Sequence, residues 1–222
     1  MKLRTSLLVA AVTVSGLAAS ASAAPKAVCN TITDAKGDAV YAALPNNPSL
    51  DIISGDVASD KTNLTGVIRV DKLSVPSVQS PMGQSFLVNF SVKGAPDPLF
   101  VGARLYPTGN KFVYGYIAVD PVNGLSTRYT LGDATGVVDL DKSELRISVP
   151  VAAFAKQAKL NPGAKLSGLT AESSAVVGQG AVPSQSVGPS PRIPLGGLLL
   201  PTDDATGKAY IAGTPSCVAV GK

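Results

Sequence analysis

Between residues 50 and 151 the chain never runs far without Gly, Pro, Asn or Asp, and the short stretches in between are rich in Val, Ile, Phe, Tyr and Thr. A helix needs a longer uninterrupted run, whereas strands separated by turns need only this spacing. The clearest stretch is 144–151, where Leu145, Ile147, Val149 and Val151 alternate with Arg146, Ser148 and Pro150. Period two puts the aliphatic set on one face of a pleated strand, and Pro150, with no N–H for the ladder, marks an edge or a strand end. The same reading gives strands over 50–59, 63–71, 85–94, 99–107, 111–120, 126–132 and 134–141. Gly109-Asn110 makes a tight turn that joins 99–107 to 111–120 as a hairpin, and "SDKTN" turns the chain earlier.

A further strand is expected over 165–177, and a closing one within 198–213. Only "PVAAFAKQAKLNPG", residues 150–163, reads as helical, for about two turns before Asn161-Pro162 stops it. So many short antiparallel segments predict an all-β fold, a two-sheet antiparallel β-sandwich of jelly-roll-like form with one short helix. Over 178–197 glycine, proline and serine dominate, which predicts an exposed loop rather than a domain boundary.

The first residues carry Lys2 and Arg4, then an apolar run from Leu7 to Ala19, then Ala21-Ser22-Ala23. This is the layout of a secretory signal peptide over 1–23, leaving one domain over 24–222. The apolar run is short for a membrane span and no later stretch approaches one, so the exported part is expected to be soluble and extracellular. The alanine-rich leader fits a bacterial source. Of two cysteines, Cys29 and Cys217, each lies near one end of the exported chain. In an oxidising compartment such a pair predicts a disulfide, with roughly 5 kcal/mol expected from loop entropy and nearer 2–4 kcal/mol in practice.

The absences narrow the chemistry. The chain has no histidine, which removes the Ser-His-Asp triad, the Cys-His pair and histidine-based zinc sites. It carries no G-x-S-x-G elbow, no phosphate-cradling loop and no dinucleotide fingerprint. A non-catalytic protein is expected. Lys and Arg number 19 against 15 Asp and Glu, scattered rather than striped, which argues against nucleic-acid binding. Tryptophan is missing, so a sugar platform would have to come from tyrosines, with Tyr114, Tyr116 and Tyr129 the candidates; core packing is the simpler explanation for Tyr114 and Tyr116.

The acids raise the sharpest question. "TDAKGDAVY" at 33–41 is echoed by "TDDATGKAY" at 202–210. Aspartate beside glycine makes turns by bonding its own backbone. Alternatively, if the disulfide draws the two acidic turns together, Asp34, Asp38, Asp51, Asp203 and Asp204 form a calcium site, since Ca²⁺ takes six to eight oxygens from loops.

"TDAKGDAV", "SLDIISGDVASDKTNLTGVIRVDKLS" and "GVVDLDKSELRISVPVAAF" together resemble the secreted DOMON-like β-sandwich domains, akin to family-nine carbohydrate-binding modules. The resemblance implies a non-catalytic sandwich that binds a ligand or a protein surface, with calcium near N-terminal acids, here Asp34, Asp38 and Asp51. No tryptophan for a sugar and no histidine for haem are present, so the ligand does not carry over. The expected activity is that of a secreted binding or structural module; the alternative is an extracellular carbohydrate-binding protein. The partner, an extracellular protein or a glycan, is named by no residue constellation.

Overall fold

The structure, a computed structural model, describes residues 26–40, 45–76, 83–122, 124–178, 193–194 and 198–221. Strands form where β-branched and aromatic residues alternate between turn formers. They are β1 (Ile32–Thr33), β2 (Ile52–Ser59), β3 (Asn63–Val70), β4 (Gly83–Val92), β5 (Leu99–Tyr106), β6 (Gly109–Val119) and β7 (Ser126–Asp133). There follow β8 (Thr135–Asp139), β9 (Glu144–Pro150), β10 (Lys165–Gly178), β11 (Ile193–Pro194), β12 (Leu198–Gly207) and β13 (Tyr210–Ile211). Pro150 ends β9, as its missing N–H requires. Asp60 makes the β2–β3 turn: its Oδ1 accepts from the amides of Thr62 and Asn63, each at 2.7 Å.

The all-β expectation holds, but the two sheets are one. Hydrogen bonds run without a break through β11-β7-β6-β5-β4-β10-β12-β1-β2-β3-β9-β8, with β13 paired to β10 off this path. The splice is β1, only two residues long. Ile32 pairs with Gly207 of β12 on one side and Gly55 of β2 on the other. Both partners are glycine for a spatial reason. A Cβ on Gly207 would stand 2.7 Å from Ile32 Cγ1, and one on Gly55 would stand 2.9 Å from the Val67 carbonyl. Alternation reports which face a residue takes and says nothing about whether two sheets share a ladder, so a two-residue connector escapes it.

The continuous sheet folds over on itself, so the packing remains sandwich-like. Gly66 of β3 lies against Val88 of β4 and Val101 of β5; an added Cβ would sit 2.6 Å from Val101 Cγ2. Between the halves lies the main core, with Ile32, Ile68, Phe86, Phe90, Leu99, Ile147, Phe154 and Tyr210 all buried. A second, smaller cluster, Leu87, Phe100, Val113 and Ile117, occupies the opposite face of β4, β5 and β6. Around it the sheet curls. Arg128 of β7 and Glu172 of β10 are ion-paired although they stand four strand spacings apart. A flat sheet would hold them about 19 Å apart.

The expected helix is instead a single 3₁₀ turn, Val151–Phe154, continued by irregular turns. Between two prolines the segment is too short to repay helix nucleation, and burial of Phe154, Ala158 and Leu160 fixes tighter turns. Cys29 and Cys217 form the expected disulfide, with Cα atoms 5.2 Å apart. Backbone bonds from Val28 N to the Pro215 carbonyl and from Cys217 N to the Val28 carbonyl run alongside it. Beyond the bridge Val218 packs on Ala58 and Val67.

The leader at 1–23 lies outside the described residues, as does the loop at 178–197 apart from Gly178 and β11. Among the described residues no helix is long and apolar enough to cross a membrane.

Candidate cation site and cleft

β1 ends at Thr33, and the chain turns at once through Asp34 to Asp38. Gly37 makes this turn possible with φ of 99°, a region where a side chain is strained. Its amide donates to Asp51 Oδ2 at 2.8 Å, and Asn46 Nδ2 donates to the same oxygen at 3.0 Å. Asp51 is fully buried beneath the turn. Its work is to hold the Asp34–Asp38 loop in shape from below.

The second acidic segment, expected as a turn, is strand: Asp203 and Asp204 lie inside β12. Opposite β10 the register slips, with Ser173 facing Asp203 and Ser174 facing Pro201, so Thr202 is an extra residue. Such a bulge bends the strand and re-aims its neighbours. Val40 N donates to the Thr202 carbonyl at 3.1 Å, which ties the N-terminal loop to the bulge. Asp203 is thereby directed at Asp34 and Asp38, and one carboxylate oxygen from each of the three lies within 4.8 Å of the others. Asp204 stands exposed beside them and Asp51 does not join. Of the five expected ligands, three converge.

Charge crowding shows in the protonation. Burial pushes the Asp203 carboxyl up to about 6, and the charges of Asp34 and Asp38 add to this against the Ile52 amide, which donates to Oδ2 at 2.7 Å. Asp34 is also raised, by burial first and then by Asp38 and Asp204, while the Ala35 amide opposes. Carboxylates within 4.8 Å of one another repel when all are ionised, and a proton or a cation relieves that repulsion. The donor set is all oxygen, which suits a hard ion such as Ca²⁺ and leaves the remaining positions to water and carbonyls.

Asp38 and Asp203 also stand on the rim of a cleft of about 550 Å³, lined further by Arg128, Glu172, Ser173, Ser174, Pro201, Thr202 and Asp204. Within it Arg128 is committed to Glu172, which also accepts from Asn89 Nδ2 at 2.7 Å. The acids near Asp38 have no such partner in the cleft lining, so it is electronegative on that side.

No protein-family model, curated protein or solved structure matches the chain. The geometry therefore stands alone. The candidate tyrosines lie elsewhere: Tyr114 packs edge-on against Phe154 at 5.1 Å as part of the core. Tyr116 and Tyr129, half-buried, stack on each other at 5.3 Å. None of the three lines the cleft.

Arg128 and Glu172 were not among the candidates. Their one signal is that each is a charged residue inside a strand otherwise short of charge, and no local pattern pairs residues 44 apart. The turn-making role of aspartate is real at other places: Asp120 Oδ1 accepts from Val122 N at 2.8 Å, and Asp139 Oδ1 from Lys142 N at 3.0 Å.

Proposed function

We propose that the protein is a secreted, non-catalytic binding module whose Asp34–Asp38–Asp203 cluster holds a calcium ion at the rim of the ligand cleft. The observation that carries this is the convergence of three carboxylates, two from the turn after β1 and one from the bulge in β12. Such crowding costs stability unless a cation or proton relieves it. The resemblance to DOMON-like domains supports the same reading, and so does the lack of any histidine for acid–base chemistry.

Thermal unfolding with and without calcium tests it. A ligand that binds only the folded state raises the melting temperature. Excess Ca²⁺ should therefore raise the transition above that in chelator, and Asp203→Asn and Asp34→Asn should each abolish the rise. Identical transitions in calcium and chelator would sink the proposal.

A second reading, glycan binding, draws support from the stacked Tyr116–Tyr129 pair. Retention on insoluble polysaccharide, lost in Tyr116→Ala and Tyr129→Ala, is its expected signature.

A further inference from the structure

The described sheet ends differently on its two sides. At one end stands β11, two residues long and containing Pro194. Brevity and proline both discourage further pairing. At the other end β8 presents five residues, Thr-Gly-Val-Val-Asp, with neither proline nor lysine among them. One edge pairs with β9, and among the described residues no strand pairs the other. Val138 faces the core and Gly136 lies against the Phe112 ring, so alternation turns Thr135 and Val137 outward. Val137 is 52% exposed, in the middle of the strand.

We propose that the free edge of β8 pairs with β8 of a second copy of this chain, antiparallel and two-fold symmetric about Val137. In that register Val137 meets its own counterpart, and the exposed apolar surface of both is covered at once. Thr135 meets Asp139 of the other copy, twice by symmetry, with its hydroxyl kept on the Ser148 carbonyl of its own copy at 3.2 Å, so the exposed Val137 pair and the backbone ladder carry the contact. The two Asp139 residues fall four positions apart along the pair, about 14 Å, beyond the range of strong repulsion in salt. Each is already paired with Lys142 of its own copy at 2.9 Å.

A second copy fits better than an unrelated peptide. Strand addition takes its specificity from pockets beside the edge. The described cleft borders β7, β10 and β12, not β8. Because five-residue strands bury little area, the pairing is concentration-dependent rather than permanent.

Sedimentation over a range of concentrations tests this, with amide exchange across 135–139 followed in parallel. The mass should rise towards twice the monomer, and exchange at β8 should slow as concentration rises. Val137→Lys and Val137→Asp each set like charges opposite each other and should stay monomeric, while a mixture of the two should dimerise again. A wild-type monomer at every concentration, with β8 exchange unchanged, would overturn the proposal. So would a dimer that persists in Val137→Lys, or a mixture that fails to recover. If the variants lose the fold, the wild-type exchange measurement decides.

Discussion

At Asp203 a proton would compete with the proposed cation for one carboxyl group. Its affinity for the proton is raised to about 6 in the folded protein, above the ordinary carboxylate value of 3.8. The folded state therefore holds this proton more tightly than the unfolded chain does, and the associated stability is present at low pH and lost as pH rises through about 4 to 6. In chelator, calorimetry at several pH values should show a melting temperature that falls across that window more steeply than in Asp203→Asn. Calcium should offset the fall. Asp60 runs the other way: the Asn63 and Thr62 bonds lower its pKa, so its contribution is present above the unfolded value and is lost as pH falls. One residue type thus serves opposite ends, and composition alone does not separate them. The echo between the two acidic segments pointed to Asp34, Asp38 and Asp203, whose carboxylate oxygens the fold places within 4.8 Å of one another. Asp51 belongs beneath the turn instead, because the amide that claims it, Gly37 N, is placed by a backbone conformation that no side-chain pattern records.

Among the elements, β1 does most with least. Two residues join the β12 side of the sheet to the β2 side, and their fit depends on Gly55 and Gly207 leaving room for Ile32. Gly207→Ala should cost about 1–3 kcal/mol through overpacking, read as a lower urea midpoint with an unchanged slope. The longer strands were legible because β-branched and aromatic residues cluster between turn formers; in β9 period two adds to this, with Leu145, Ile147 and Val149 buried, while β4 and β5 are buried on both faces and show no alternation. β1 has no period to read. The helix expected over 150–163 failed for the complementary reason: its alanines satisfy helix propensity, but propensity summed over so short a run is a weak prior against the burial of one phenylalanine.

For the molecule as a whole, two long-range links set the shape. The Arg128–Glu172 pair records how far the sheet curls, and nothing local to either residue foretells it. The disulfide was legible because the sequence holds two cysteines, so only one pairing exists. Reducing it, or replacing both cysteines with serine, should lower stability by about 2–4 kcal/mol while leaving the strands paired, with circular dichroism checking the second point. Val218 should then exchange its amide faster, because its hold on Ala58 and Val67 depends on the nearby bridge. The joined ends also have a mechanical meaning. Tension entering ahead of Cys29 and leaving behind Cys217 passes straight through the sulfur bridge, and the whole folded sheet hangs beside that load path as a slack loop that a pull on the flanks does not unzip.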